Sequence, residues 1–100
     1  MYRNLDPLIH SQLRLAIMSI LIELKEADFT FVKEKTGSSA GNLSVQLNKL
    51  KEVGYIKIEK SFKNNYPLTK CIITKKGIQK FEEYIIALKS YIDPDKATDD

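Results

Sequence analysis

Apolar residues recur along this chain with two different periods, and the changeovers divide it into elements. Leu13, Ile17, Ile20, Leu21 and Leu24 stand at helical spacing and predict a buried stripe on a first helix ending near Lys25 or Glu26, with Ser11 placed to cap it. Ahead of it, Asp6-Pro7 is a helix-start pair: an N-cap carboxylate, then a proline where its missing N–H costs nothing. Leu8-Ile9-His10 is therefore expected to be a short helical lead-in. Ala27-Asp28-Phe29 is too short for an independent strand, although it could bridge once to a later hairpin.

From Thr30 to Val53 the pattern is two short helices and a tight turn. Thr30 is expected to cap the first, Phe31 to about Thr36, and Gly37 supplies the positive φ that stops it. Ser38 or Ser39 then caps a second helix running to about Glu52, before a stop at Val53-Gly54. On this second helix Leu43, Leu47 and Leu50 fall within about 60° of one another and form a core seam, with Ala40 nearby. Opposite them lie Gly41, Asn42, Val45, Asn48 and Lys49. Small and amide residues are an odd choice for a solvated face, where Glu, Lys and Gln are better helix formers. They suit a face pressed against something. Asn and Gln can read adenine edges, Ser can meet phosphate or base, and Val45 can touch a thymine methyl. An ordinary surface helix is the bland alternative.

After Gly54 the period becomes two. In Y-I-K-I-E-K, Ile56 and Ile58 take one side and Lys57 and Glu59 the other. A second strand, Thr69 to Thr74, points Cys71 and Ile73 inward. Between them S-F-K-N-N-Y-P-L carries the turn formers Asn64, Asn65 and Pro67, so a β-hairpin with a lysine-bearing tip is expected. Thr74 caps a last helix, Lys75 to about Ile92, whose stripe is Ile78, Phe81, Ile85, Leu88 and Ile92. Tyr84 and Tyr91 widen it to roughly 140°, with Ile86 and Ala87 outside. That is more apolar surface than one small body needs, and a second copy is the first choice of partner. Residues 93–100 have no periodicity and read as a disordered acidic tail after a single domain over 1–92.

Charge changes this picture more than composition does. From Phe29 to Lys76 ten lysines face three acids, a balance of +7, while the rest of the chain carries −4. A basic middle between acidic ends is the footprint expected for a phosphate backbone; lysines scattered in solvent would be the plain alternative. The longest apolar run, Leu13 to Leu24, is broken by Arg14, Ser19 and Glu23 and falls short of the roughly 20 residues of a membrane span. The opening M-Y-R-N-L-D-P lacks an apolar core and a cleavage site, so a cytoplasmic protein is expected. One cysteine, Cys71, and one histidine, His10, give neither an internal disulfide nor a Cys/His metal set. His10 reads as structural or surface, and Cys71 as a small core residue. No paired carboxylates, nucleophile–base set or phosphate-cradling glycine loop appears; no cofactor and no enzymatic activity are expected.

The run H-S-Q-L-R-L-A-I-M-S-I-L, then T-F-V-K-E-K-T-G-S-S-A-G-N-L-S-V-Q-L-N-K-L-K-E-V-G-Y-I, then a hairpin into L-T-K-C-I-I-T-K-K-G, resembles winged helix-turn-helix transcriptional regulators of the MarR/ArsR-like group, and more narrowly the stand-alone ones of about this length. The resemblance covers about residues 7 to 92. It implies an α+β, mainly α fold with a β-hairpin wing and a C-terminal dimerisation helix, acting as a homodimer on double-stranded DNA. The recognition helix would lie in the major groove and the wing on the backbone or minor groove. By position, Ser38, Ser39, Ala40, Gly41, Asn42, Ser44, Val45, Gln46, Asn48 and Lys49 match the recognition segment. Lys60, Lys63, Asn64, Asn65 and Lys70 match the wing. The dimer face implied is Ile78, Phe81, Tyr84, Ile85, Leu88, Tyr91 and Ile92, joined by Leu5, Leu8 and Ile9. Two departures stand out: the Cys motif of metal-sensing ArsR-type relatives is absent, and little chain is left for the ligand pocket of longer MarR proteins. No small-molecule effector is therefore expected. The rival reading is a winged helix that binds a partner protein.

Overall fold

In the computed structural model, which describes residues 1–93, four helices combine with a three-stranded antiparallel sheet. The elements are α1 (Gln12–Leu24), β1 (Glu26–Asp28), α2 (Phe29–Thr36), α3 (Ala40–Glu52), β2 (Ile56–Lys63), β3 (Tyr66–Ile73) and α4 (Lys75–Ile92). The fold class expected from the sequence is the one observed. The expected tail, from residue 94 onward, lies outside the described residues.

The sheet runs β1-β3-β2, with β3 central. Strict alternation sends Ile56, Cys71 and Ile73 into the core, while Lys57 and Glu59 face out. They meet Ile17, Met18 and Leu21 of α1, Val32 of α2, and the Leu43, Leu47 and Leu50 seam of α3. On α1 the stripe is rotated from the one expected: Met18 is fully buried and Leu24, at the helix end, is exposed. Residues 26–28 form a true three-residue strand, pairing Glu26, Ala27 and Asp28 with Ile72, Cys71 and Lys70. The hairpin is longer than its turn formers suggested. Asn64 and Asn65 alone make the turn, both at positive φ (52° and 66°), the geometry that matches strand twist in two-residue hairpins. Pro67 lies within β3, beyond the end of β1, where β3 has a free side that tolerates a residue without an N–H.

The helix ends follow local chemistry in part. Gly37 (φ 68°) closes α2, the Ser39 hydroxyl accepts from Asn42 N at 3.1 Å, and Thr74 accepts from Gly77 N at 3.0 Å. Thr30 caps nothing: β1 delivers extended backbone directly at Asp28, so α2 begins at Phe29 and Thr30 lies inside it. Ser11 occupies the N-cap of α1 without a side-chain bond. The lead-in is a single turn rather than a helix, closed by His10 N to Asp6 O at 2.8 Å, with Asp6 Oδ1 accepting from Leu8 N at 2.8 Å.

The largest displacement is on α4. Its buried residues are Gly77, Tyr84, Ala87 and Ser90, whereas Ile78, Phe81, Ile85 and Leu88 are only half-buried. The cause is the N-terminal segment, which runs along the helix. Arg3 N donates to Ser90 Oγ at 3.1 Å, Tyr91 OH donates to Arg3 O at 2.8 Å, and the rings of Tyr2 and Tyr91 stack at 4.8 Å. Ile9 and Tyr84 are buried by the chain itself, and Tyr84 OH bonds His10 Nδ1 at 2.9 Å. Those two residues present no surface to a partner, contrary to the face expected from the sequence. Leu5 and Leu8 are half-buried; Tyr91 and Ile92 are exposed.

Tyr55 sits where these parts meet. Its N–H donates to Leu50 O at 3.0 Å, its carbonyl accepts from Thr74 N at 3.1 Å and from Thr74 Oγ1 at 3.1 Å, and its hydroxyl donates to Asp6 Oδ2 at 2.6 Å. A Cβ at Gly77 would stand 2.1 Å from the Tyr55 oxygen, so only glycine lets α4 start there. Burial first, and then the hydrogen bond to Asp6, push the Tyr55 phenol up to about 12. Its proton is thus held more tightly folded than unfolded, so the contribution is complete below pH ~10 and is lost as pH rises toward 12. Tyr55→Phe should lower unfolding free energy by about 1–2 kcal/mol at neutral pH. Denaturant titrations across pH 9–12 should show a shallower alkaline decline for the variant, the residual slope coming from Tyr84 and Cys71, which burial also raises.

Candidate nucleic-acid interface

In the α2–turn–α3 unit the second helix turns one side outward along its length. Its three leucines bury one side, which leaves Gly41, Asn42, Ser44, Val45, Asn48 and Lys49 exposed on the other, together with Ser39 and Ala40 at its start. Val45 is 50% exposed although apolar. At Gly41 no heavy atom lies within 4 Å of where a Cβ would stand, and no positive φ demands a glycine. The fold does not explain that residue; close approach of another molecule would. Ser38 is drawn back into the turn, its hydroxyl 2.9 Å from Thr36 Oγ1. Gln46 is half-buried and held: Arg14 Nη1 donates to its Oε1, and its Nε2 donates to Asn42 Oδ1 at 3.1 Å.

The hairpin supplies a second wall. Alternation from buried Ile56 places Ile58, Lys60 and Phe62 on the sheet face turned toward α3, opposite Cys71, Thr69 and Pro67 of β3. Lys60 and Thr69 share a cleft with Ser44 and Asn48 of α3, floored by Phe29, Leu47 and Ile58. Lys63, Asn64 and Asn65 form the exposed tip.

Lys70 does not join them. It lies on the opposite sheet face, in register with Asp28 of β1 and Glu59 of β2, and pairs with Glu26 Oε2 at 2.9 Å. The hydrogen bond and charge of Glu26 hold its ammonium above the usual lysine range, with Asp28 and Glu59 adding to the effect. With three carboxylates near it, this lysine already has an ion-pair partner and lies on the sheet face away from Lys60, not beside it as the wing expected from the sequence would have it. Two residues that the sequence reading passed over are prominent instead. Phe62 (77% exposed) and Tyr66 (75% exposed) flank the tip, and the period-two pattern that marked Ile56 and Ile58 reaches Phe62 once continued past the core.

Other chemistry is sparse. Cys71 is fully buried, and burial, followed by the charge of Asp28, pushes its thiol up to about 11. Among the described residues no group of His, Cys, Asp or Glu is placed to hold a metal ion, and no helix is long and apolar enough to cross a membrane.

A helix pair with an exposed second helix, a hairpin beside it and a closing helix behind define a winged helix-turn-helix protein. The sequence model of the winged helix DNA-binding domain family matches residues 13–92, and the chain belongs to that family. An uncharacterised protein of Methanocaldococcus jannaschii, MJ0432, is 36% identical over 76 residues, 76% of this chain and 83% of that one. Among solved structures, a transcriptional regulator homologue from Pyrococcus horikoshii OT3 superposes with a TM-score of 0.82 at 26% identity, covering 87% of this chain and 86% of that one. HlyU from Vibrio cholerae N16961 shares the fold at TM-score 0.59 and 15% identity over 87% and 85% of the two chains. NadR, solved in complex with 4-hydroxyphenylacetate, also shares the fold, at TM-score 0.71 and 17% identity over 88% of this chain and 64% of that one. The chain is a DNA-binding regulator by family and fold.

A buried thiol with a raised pKa should be unreactive. A thiol reagent at pH 8 should label Cys71 only as fast as the protein opens, and in denaturant at the rate of a free cysteine; prompt labelling of the native protein would show an accessible thiolate.

Proposed function

We propose that the chain regulates transcription as a homodimer that binds a specific double-stranded sequence, with α3 in the major groove and the hairpin along the backbone or minor groove. The observation that supports this best is the outward face of α3. Gly41, Asn42, Ser44, Val45 and Asn48 are exposed, and Lys60 lines one cleft together with Ser44 and Asn48. The side chains on α3 suit base edges, and the lysines suit phosphates. In this reading Lys49, Lys60 and Lys63 carry the phosphate contacts, with Asn64 and Asn65 at the turn. The dimer face narrows to the exposed Tyr91 and Ile92 and the half-buried Leu5, Leu8, Ile78, Phe81, Ile85 and Leu88. Two copies would meet half-sites about 10 bp apart, one helical turn. Nothing in the reading calls for an effector.

Selection from random duplexes, followed by titration of the enriched site over a salt series, tests it. Affinity should fall steeply with salt, and Lys60→Glu and Lys63→Glu should each weaken binding and reduce the magnitude of the salt slope by roughly one. Lys70→Glu, which only disturbs an existing cluster of charge, should leave the slope unchanged. Equal affinity for the selected and a scrambled duplex would remove the sequence-specific part. Failure to bind any duplex would leave a protein-binding winged helix as the surviving reading.

A further inference from the structure

The side chain best placed to read DNA on the first turn of α3, Asn42, is the end of a chain of hydrogen bonds that starts on α1. Arg14 donates through Nε to Leu8 O at 2.5 Å, through Nη2 to Pro7 O at 3.5 Å, and through Nη1 to Gln46 Oε1. Gln46 Nε2 in turn donates to Asn42 Oδ1 at 3.1 Å. A guanidinium has no acceptor. The Gln46 atom facing Arg14 must therefore be the amide oxygen, the atom facing Asn42 must be the amide nitrogen, and the Asn42 atom meeting it must be the oxygen. Reversing either amide would set donor against donor. The direction of the chain is thus fixed by arginine chemistry and not by a choice between two equivalent amide orientations.

We infer, on the basis of the DNA-binding reading above, that Arg14 is a positioning residue that locks Asn42 with its amide nitrogen outward, so that Asn42 donates to a hydrogen-bond acceptor on the DNA. An unlocked asparagine can present either end. Here the oxygen is engaged along the helix surface, one turn away, and Nδ2 is the group left to meet a partner. The acceptor is either a phosphate oxygen or an acceptor on a base edge, such as a purine N7. Gly41 beside it, with open space where a Cβ would be, leaves room for the approach.

The inference is tested by a double-mutant cycle on the selected site. Asn42→Ala should weaken binding about tenfold, the equivalent of one well-made hydrogen bond. Gln46→Glu keeps an acceptor for Arg14 but cannot donate to Asn42, so it should turn the Asn42 nitrogen inward and weaken binding by a similar factor. Because the new charge alone could repel DNA, the same change is made in the Asn42→Ala background, where only the charge effect should remain. Gln46→Met, uncharged and unable to bond either neighbour, should free Asn42 to present either end, so that it weakens binding by less than Gln46→Glu in the presence of Asn42 and is near neutral without it. Arg14→Ala should couple to Asn42 in the same sense, and free-protein NMR should show the side-chain amide signals of Gln46 and Asn42 shifting in that variant. Duplexes with single neutral methylphosphonates or 7-deazapurines then separate the two acceptors: the modification that abolishes the cost of Asn42→Ala marks the group contacted. If changes at Arg14 and Gln46 cost the same with and without Asn42, the positioning role is wrong while DNA binding stands. If the unmodified protein binds no duplex, both fall.

Discussion

Tyr55 ties together three parts of the chain by hydrogen bonds: the end of α3, the start of α4 and the turn at Asp6. Its backbone closes the end of α3 onto Leu50 and fixes the start of α4 through Thr74, and its hydroxyl reaches the turn at Asp6. The residue lies directly after Gly54 (φ 81°), where helical backbone gives way to strand. The angle between α3 and the hairpin, and hence the cleft shared by Ser44, Asn48 and Lys60, depends on that corner. Gly77, pressed against the Tyr55 carbonyl, makes the direction of α4 depend on it as well.

Wherever an element is determined by its own neighbours, the sequence predicts it well. The Leu43, Leu47 and Leu50 seam, the inward Ile56, Cys71 and Ile73, the Gly37 stop and the Ser39 and Thr74 caps are all as expected, because period and capping are local properties. The failures are tertiary. Thr30 is a good cap residue by type, but β1 pairs with β3 and brings an extended chain to Asp28, so the helix starts earlier. The stripe on α4 was drawn from apolar residues alone. The N-terminal segment that packs along that helix has no periodicity and offers backbone groups, so the side it meets is marked by Ser90, a residue that no count of hydrophobic positions includes.

The candidate interface divides in the same way. The outward face of α3 was legible because one side of a helix was spoken for by three leucines. Lys60 was legible as part of a basic hairpin, and strand parity places it toward α3. Lys70 was not, since its neighbours Glu26 and Asp28 come from a strand too short to be read with assurance from the sequence, and Glu59 joins them only through the hairpin register. Arg14 was hidden for a similar reason: its partners Pro7, Leu8 and Gln46 lie in different elements.

The carboxylates around Lys70 have an effect at a distance that is separate from contact. On that face of the sheet Lys57, Lys63 and Lys70 stand with Glu26, Asp28 and Glu59, three lysines against three carboxylates, so positive charge is cancelled there, while Lys49 on α3 and Lys60 on the opposite sheet face have no acid paired with them among the ion pairs of the described residues. The hairpin is thus electrically two-sided. A molecule diffusing near a polyanion feels a torque as well as an attraction, and at low ionic strength that torque acts over about a Debye length, before any atoms touch. On the reading proposed above, encounters would begin with α3 facing the duplex more often than chance allows, and the rate of productive arrival, not only the strength of the final complex, would be written into which face of one short sheet is neutral.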